Sequence, residues 1–537
     1  MTDPVDRHAT PSVPASRIPG HGTRALLALL AALLVAGPFV AAWHLDTATL
    51  AVSAQESPPG TASTPPPAPG AGPAVRQGPV VLAYHDVAPH SRSRYAVTPE
   101  VFEAQIAALA RAGYRSLSSD EFLAFLRDGR TPAPRSVFLT FDDGTHGLWV
   151  HADRILAKYR MRAAAFLITG QVGRHRPYYL SWAEITRMHR SGRWDFQDHT
   201  HDLHHRAAAD RRGRQVPALA HRLWLAGPGR GETAREYRER VGRDLDRSLR
   251  EFAGHGLPRP RLFAFPFSEA ALPARRAAAD TGGSGARDRA DRRFLVRALR
   301  ARFAVRFTNA SGRPLPAGPR AAAEGQVQRL EVTRATGAAD LLAAVARWAP
   351  VPPSACPAPL TEPEQWERTD GRPGGALAAL TGTGRRPAGA GYASAAYRPM
   401  SSADWTGYTV RVTVDGLSGQ DNSVALVVND RSRDPVTVSL GHGLVRVLAG
   451  VGDGRREVVR RAVEPGPSHR LTVTVGRDRT VVLVDGSGPI EHRAPRLRRG
   501  EGTGGIAFST RTGRAGVPFP RLAALTVAPD ASPGGRR

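Results

Sequence analysis

Residues 136–144 read Ser-Val-Phe-Leu-Thr-Phe-Asp-Asp-Gly, an apolar run that ends on two adjacent carboxylates. The first six residues have the composition of a buried strand, and similar runs occur at 80–84 and 163–168. Stretches with helical spacing, such as 182–190, alternate with these runs. The alternation predicts an α/β domain over residues 80–350, with a largely parallel sheet or barrel.

The carboxylates at the end of this run, Asp142 and Asp143, raise each other's pKa unless a cation offsets their charge. A divalent cation would hold both groups ionised. Further along the chain, another strand-like segment ends in the cluster Asp-His-Thr-His-Asp-Leu-His-His at 198–205. An Asp pair alone often caps a helix, and a histidine cluster alone often lies in a solvated loop. Because both follow strands, we expect a metal site with carboxylate and imidazole ligands.

These motifs resemble those of the polysaccharide deacetylase family, carbohydrate esterase family 4. Tyr-His-Asp-Val at 84–87 resembles the opening Tyr-His-x-Val motif of the branch that includes poly-N-acetylglucosamine deacetylases. Phe-Ala-Phe-Pro-Phe at 263–267 and Ser-Trp at 181–182 resemble two further segments of that branch. The resemblance implies a barrel-like domain that removes acetyl groups from N-acetylglucosamine units of a surface polysaccharide.

The resemblance also implies the metal ligands. Asp143 and His199 match the first two ligands of the family. For the third ligand, His204 fits the histidine spacing of the poly-N-acetylglucosamine branch, and His201 and His205 are the alternatives. Zinc is the expected metal, and cobalt, nickel or iron would accept the same ligands.

By the same resemblance, Asp142 is the expected general base. Many family members take their general acid from a late Leu-x-His motif, but the corresponding segment 329–332 reads Arg-Leu-Glu-Val. His85 is therefore the candidate acid, and a structural histidine at a strand end is the alternative. Two further departures are Ser268, where the family usually has glycine, and the low-complexity segment 281–293, which has the composition of a flexible loop.

The N-terminal segment predicts export. Residues 25–43 form an uncharged apolar run, close to the length of about 20 residues that spans a bilayer. Arginines within 1–24 predict a cytoplasmic tail, with the rest of the chain outside the cell membrane. We favour an uncleaved anchor over a cleaved signal, which would release a secreted protein. Two Pro-rich linkers, 44–79 and 351–359, separate the anchor and the two folded domains.

Short alternating strands between Gly and Asp turns fill residues 360–531, with no helical pattern between them, which predicts an all-β sandwich. Asp-Trp-Thr-Gly-Tyr at 404–408 and Gly-Gly-Ile-Ala-Phe at 504–508 resemble segments of concanavalin-like (laminin-G or family-16) jelly rolls. The resemblance implies a carbohydrate-binding module that stacks sugars on exposed aromatic side chains. The alternatives are a spacer, or a core in which Trp405 and Tyr408 are simply buried.

Composition narrows the functional classes. The formal net charge of +26 favours anionic partners, but no nucleic-acid fold or localised basic arm accompanies it, and we expect no nucleic-acid partner. Cys356 is the single cysteine, which excludes an intramolecular disulfide and a cysteine-based zinc site. The arginine-rich segment 206–251 has charges at helical spacing and predicts a solvated helix.

Two other functions fit the same residues. One is a non-catalytic glycan-binding surface protein with a degenerate deacetylase domain, which the missing late histidine would favour. The other is the same metal chemistry on a small-molecule amide or an O-acetyl ester. An open groove would favour a polymer, and a closed pocket would favour a small molecule.

Overall fold

The computed structural model describes residues 78–530, except 131–132, 272–283, 312, 371–374, 384–390, 418, 433, 452–453, 495–501 and 514–518. The predicted anchor at 25–43 lies outside the described residues. Across the part of the chain that is described, every helix is too short or too polar to cross a membrane.

The N-terminal domain alternates strands with helices, as predicted. Its strands are β1 Val80–Tyr84, β2 Asp86–Val87, β3 Ala96–Val97, β4 Arg115–Ser116, β5 Ser136–Phe141, β6 Ala163–Leu167, β7 Trp194–Asp198, β8 Arg206–Ala208, β9 Gln215–Pro217, β10 Trp224–Leu225, β11 Arg230–Gly231, β12 Leu262–Ala264, β13 Val305–Thr308, β14 Gln326–Gln328 and β15 Leu330–Glu331. Its helices are α1 Pro99–Arg111, α2 Ser119–Asp128, α3 Asp153–Lys158, α4 Trp182–Arg190, α5 Ala234–Gly254, α6 Ser268–Ala271, α7 Ser284–Arg300, α8 Pro319–Glu324 and α9 Ala338–Trp348, with a π-helical turn at Leu148–Ala152.

One nine-stranded parallel sheet organises this domain, and its order is β14-β13-β12-β7-β6-β5-β1-β15, with β4 beside β5. The two edge strands, β14 and β15, are separated in the chain by Arg329 alone, so the sheet nearly closes on itself. All six residues of β5 are buried, as expected for a parallel strand covered on both faces. The prediction of a near-closed parallel barrel is confirmed.

Two predictions about charged segments are wrong. Residues 206–231 form two hairpins, β8–β9 and β10–β11, instead of the first half of a solvated helix. The helix α5 begins after Thr233, whose side chain accepts a hydrogen bond from the N–H of Glu236 in a capping box. Arginines are so frequent in 206–231 that some of them fall at helical spacing by chance. The segment also has too few buried apolar residues to show the alternation of its strands. Residues 284–293, predicted as a flexible loop, belong to α7.

The C-terminal domain contains two antiparallel sheets, with orders β16-β17-β26-β19-β20-β21-β22 and β25-β24-β23-β18-β27. Their strands are β16 Trp366–Arg368, β17 Tyr392–Tyr397, β18 Tyr408–Asp415, β19 Ser423–Val428, β20 Val436–Gly441, β21 Leu444–Ala449, β22 Arg456–Ala462, β23 Ser468–Val475, β24 Arg479–Val484, β25 Ile490–Arg493, β26 Ile506–Arg511 and β27 Arg521–Pro529. Side chains of both sheets form one hydrophobic core. A short helix, α10 Ala376–Thr381, corrects the expectation that this region has none.

Trp405 and Tyr408 lie inside this core, with 3% and 0% of their surfaces exposed. The Trp405 indole N–H donates to the carbonyl of Val351, and the Tyr408 hydroxyl donates to the carbonyl of Gly504. Neither ring is therefore available to stack on a sugar. Their burial matches the alternative interpretation of these two aromatic residues.

Buried polar contacts join the two domains. The backbone N–H of Arg320, in the first turn of α8, donates to Asp404 Oδ1 of the C-terminal domain at 2.7 Å. The Arg320 guanidinium, in a side chain that is almost fully buried, donates to the carbonyl groups of Asp430, Arg431 and Thr503. The helix that precedes β14 is thus attached directly to the C-terminal domain.

Candidate active site

The loop after β5 begins the site. Asp143 and Gly144 both have left-handed backbone conformations, with φ of 73° and 74°. This geometry is costly for an aspartate and is typical of functional loops held by their surroundings. The N–H of Gly144 donates to the carbonyl of Asp142, which closes the turn. The two carboxylates therefore leave the strand end in different directions.

The histidine cluster follows β7, which is two strands from β5 in the sheet. His199 is 1% exposed, and its Nδ1 lies 2.8 Å from the carbonyl of Ala264, to which it donates. That hydrogen bond leaves the Nε2 lone pair facing the site. Burial lowers the pKa of His199 to about 4, so its ring is neutral, as a metal ligand must be.

Asp143, His199 and His204 come together as the sequence predicted. Asp143 Oδ1 lies 3.6 Å from His199 Nε2 and 3.3 Å from His204 Nε2, and the ligand atoms of the three residues lie within 4.8 Å of one another. Asp143 Oδ1 is buried and has no hydrogen-bond partner among the described residues. An unpaired carboxylate oxygen facing two imidazole nitrogens fits a divalent cation.

The alternative ligands face elsewhere. His201 Nδ1 lies 3.0 Å from the hydroxyl of Thr169, and His205 Nδ1 lies 2.8 Å from the carbonyl of Asp202. Thr200, between His199 and His201, has φ of 75°, an unusual value for a β-branched residue. This local geometry directs consecutive histidines to different surroundings and separates His199 from His201.

Asp142 is bound by a residue that sequence reasoning missed. Arg329, which connects β14 to β15, donates from Nη1 and Nη2 to the two carboxylate oxygens of Asp142, each at 2.6 Å. Its Nε donates to Asn309, and both charged side chains are buried. Burial raises the pKa of Asp142, but the charge and hydrogen bonds of Arg329 outweigh it and hold that pKa well below the usual range.

A lone arginine between two short strands, Gln326–Gln328 and Leu330–Glu331, was the available signal for this pair. In a chain so rich in arginine, that signal does not distinguish Arg329 from solvated arginines.

His85, the candidate acid, lies directly after β1. Its Nε2 is 3.9 Å from Asp142 Oδ2, and its Nδ1 is buried without a hydrogen-bond partner in the described part of the chain. The ring packs against Tyr95, with 4.7 Å between ring centroids. The structure therefore brings His85 toward Oδ2 of Asp142, the oxygen that also accepts a hydrogen bond from Nη2 of Arg329.

Two further segments border the site. Phe267 packs against His204 with ring centroids 5.3 Å apart, and the Ser268 hydroxyl accepts a hydrogen bond from the N–H of Asn309. The serine that replaces the family glycine thus connects the loop after β12 to the end of β13. On the other side, His146 N–H donates to the carbonyl of Tyr178, which attaches residues 178–180 to the loop that carries Asp143.

Comparison with known proteins finds polysaccharide deacetylases among the proteins similar to this domain. The polysaccharide deacetylase family profile matches residues 129–285. A poly-β-1,6-N-acetyl-D-glucosamine N-deacetylase of Staphylococcus aureus is 39% identical over 113 residues, which are 20% of this chain and 39% of that protein. Its counterpart in Staphylococcus epidermidis is 37% identical over the same lengths. The chain thus spans about two fifths of these relatives.

Among solved structures, IcaB from Ammonifex degensii shares 25% identity, covering 50% of this chain and 97% of that chain with a TM-score of 0.36. At that TM-score, the structural likeness adds no weight to the family match. The matching profile covers residues 129–285, within the near-closed barrel domain, so this part of the chain is similar to polysaccharide deacetylases. The sequence relatives of this domain are poly-β-1,6-N-acetylglucosamine deacetylases.

Proposed function

We propose that this protein is a metal-dependent N-deacetylase of a surface or extracellular polysaccharide built from N-acetylglucosamine. The observation that carries the proposal is the geometry around Asp143, whose unpaired Oδ1 faces the Nε2 atoms of His199 and His204. A degenerate deacetylase domain would have no need to keep three ligands and a buried carboxylate–arginine pair in one site. The related staphylococcal deacetylases support β-1,6-linked polymer as the substrate.

Asp143, His199 and His204 would hold the cation, and zinc suits one carboxylate and two imidazoles. A cation there would acidify a water molecule and polarise the acetamide carbonyl. Asp142 is ionised because Arg329 lowers its pKa, and the remaining lone pairs of its carboxylate are free to accept the proton of the attacking water. Arg329 fixes the orientation of this base at the cost of some basicity.

The leaving amine requires a proton, and His85 is the residue in position to supply it. Its Nε2 lies beside Asp142, so base and acid border the same reacting carbon. Asp142 gains a proton from water as the C–O bond forms, and His85 gives a proton to the nitrogen as the C–N bond breaks. The products are acetate and a free amine on the sugar.

Acetate release from N-acetylglucosamine oligomers tests this function. Metal-loaded protein should release acetate, with β-1,6 oligomers preferred over β-1,4 oligomers. Asp142→Asn and His204→Ala should each lower the rate by at least a hundredfold. His205→Ala is the matched control, because this exposed neighbour faces the Asp202 carbonyl and should leave the rate unchanged. Loss of activity in His205→Ala but not His204→Ala would refute the ligand assignment.

An O-acetyl ester or a small amide is the alternative substrate for the same residues. If the metal-loaded protein released acetate from such compounds but from no N-acetylglucosamine oligomer, the site would be that of a different deacylase. Tight metal binding without any acyl hydrolysis would instead favour the glycan-binding alternative.

The regions outside the catalytic domain support three further parts of the proposal. We propose that the apolar run at 25–43 anchors the chain in the cell membrane, with the catalytic domain outside, because arginines precede it and a Pro-rich spacer follows. The C-terminal sheets would form a jelly-roll module that binds polysaccharide. Because Trp405 and Tyr408 are buried, such binding would depend on other side chains of that domain.

A further inference from the structure

Exposed aromatic side chains are scarce in this protein. Among the Phe, Tyr and Trp residues that the structure describes, Tyr95, Tyr178 and Tyr392 have more than a third of their surface exposed. Two of them, Tyr95 and Tyr178, border the candidate active site. An exposed aromatic ring is retained at a cost in solubility, and rings at the edge of a site commonly contact a ligand.

The two rings differ in their availability. Tyr95 contacts His85 at 4.7 Å between centroids, and the Arg94 guanidinium lies 4.8 Å from the same ring. Tyr178 is 53% exposed, and its described ring contact is with Tyr179 at 4.8 Å and a perpendicular angle. In a perpendicular pair the edge of one ring meets the face of the other, so this contact covers at most one face of Tyr178. Tyr178 is therefore the ring that can accept a flat apolar surface.

Tyr178 is close to the metal ligands. Its carbonyl accepts the N–H of His146 at 2.8 Å, three residues after Asp143. The charges of Asp143 and Asp86 add to the effect of partial burial and raise the pKa of the Tyr178 hydroxyl to about 12. The N–H of Leu180 also donates to the carbonyl of Gly144 at 3.0 Å, so the segment of Tyr178 is attached directly to the loop that carries Asp143.

The segment that carries Tyr178 is held on both sides. Glu184, which is 1% exposed, lies 3.0 Å from His146 Nε2 and 3.5 Å from Arg176. The Glu184 side chain also accepts the N–H of Ser181 at the start of α4. A ring on such a fixed segment loses little conformational freedom when a ligand binds.

We propose that Tyr178 is the stacking platform for a second sugar of the polymer, next to the residue that is deacetylated. The apolar C–H face of a pyranose packs on an aromatic ring, and the Tyr178 hydroxyl remains a hydrogen-bond donor to ring substituents. The enzyme accordingly recognises at least a disaccharide unit and gains affinity from chain length. This inference deepens the proposed deacetylase function and rests on it.

The test is the chain-length dependence of acetate release from β-1,6-linked N-acetylglucosamine oligomers of one to five units. In the wild type, kcat/KM should rise between monosaccharide and oligomer. Tyr178→Ala should reduce this gain by about two- to tenfold, mainly through KM, the range expected for loss of one aromatic contact. Tyr178→Phe, which keeps the ring, should keep most of the gain. Tyr392→Ala, an exposed tyrosine of the other domain, should behave as wild type.

The outcomes separate the inference from the proposed function. If Tyr178→Ala lowers kcat/KM by one factor for every length, the residue supports the fold and the platform is refuted. An undiminished length gain in Tyr178→Ala also overturns it while deacetylation stands. No acetate release from any oligomer by metal-loaded wild type overturns both. Calorimetric binding of the deacetylated oligomer gives a second readout, and Tyr178→Ala should weaken it by a similar factor.

Discussion

Arg329 and Asp142 form a buried ion pair in which Nη1 donates to Oδ1 and Nη2 donates to Oδ2, each at 2.6 Å. The two side chains are 1% and 3% exposed. The pair connects the edge of the sheet, where β14 meets β15, to the end of β5 in the catalytic loop. Closure of the barrel and orientation of the base therefore depend on the same contact.

We expect Arg329→Met to be strongly destabilising, because it leaves the Asp142 carboxylate buried without its partner. Breaking a buried pair in this way costs about 3–5 kcal/mol. The loss should be largest near neutral pH and shrink in acid, since Asp142 then takes up a proton. Chemical denaturation of wild type and variant between pH 4 and pH 8 measures this difference.

The double variant Arg329→Met with Asp142→Asn separates stability from catalysis. It removes both charges, so most of the lost stability should return, while activity should stay at least a hundredfold below wild type. In Arg329→Met alone, burial raises the pKa of Asp142, and the acid limb of kcat/KM should move to higher pH. A double variant as unstable as the single one would show that Arg329 acts through packing.

Metal binding should stabilise the protein through His204 and not through His205. At a metal concentration of 100 times the dissociation constant, linkage predicts a gain of about 2.7 kcal/mol in the free energy of unfolding. His205→Ala should keep this gain and His204→Ala should lose most of it. Thermal unfolding with and without chelator measures both. A gain preserved in His204→Ala would move the ligand assignment to another residue.

The strands and most of the site follow from local sequence, because a buried parallel strand must be apolar along its whole length. The runs Val80–Tyr84 and Ser136–Phe141 have the bounds that their composition predicts. Asp143 and His204 were also identifiable, since carboxylates and histidines after strands have few structural uses. These predictions depend only on the residue type and on its position after a strand, and they need no knowledge of distant residues that contact it.

The features that the sequence did not predict depend on contacts between residues that are far apart in the chain. Arg329 is important because of Asp142, which lies far away in the chain, and nothing near Arg329 distinguishes it from the many solvated arginines. The hairpins within 206–231 were hidden by the same arginine background. Burial of Trp405 and Tyr408 was left open for a related reason, because a turn-flanked aromatic suits a core and a sugar-binding face equally well.

Stability should also depend on pH through Asp404, where the C-terminal domain contacts α8. Burial raises the pKa of Asp404 above its usual value, and the Arg320 N–H and charge only partly oppose this. Because the pKa of Asp404 is higher in the folded than in the unfolded protein, its contribution to the free energy of unfolding is complete below about pH 3.9, the pKa of an unfolded aspartate. That contribution is lost as the pH rises through the folded pKa. Relative to Asp404→Asn, the wild type should become less stable as pH rises through this range.

The control for this pH effect is Asp478→Asn, which removes an exposed carboxylate of the same domain. This variant gives the effect of removing one surface charge from the same domain. Urea unfolding at intervals from pH 4 to pH 8 measures both differences. A difference that grew in favour of the wild type with rising pH would contradict the assigned direction.

Gly318 and Asp404 should be energetically coupled across the domain boundary. A Cβ on Gly318 would overlap Asp404 Oδ2, so the glycine permits the carboxylate to approach and accept the Arg320 N–H. We expect Gly318→Ala to cost about 1–3 kcal/mol through overpacking, and Asp404→Ala about 1 kcal/mol or more through loss of the helix cap.

In the double variant the added methyl no longer meets the carboxylate. The total loss should therefore be smaller than the sum of the two single losses by at least 0.5 kcal/mol, a threshold typical of residues in contact. Denaturant unfolding of the four proteins of this cycle, with acetate release measured on each, gives the coupling. Because α8 leads through β14 to Arg329, variants that loosen this boundary should also lower activity. Strict additivity with unchanged activity would mean that the two domains fold and act independently.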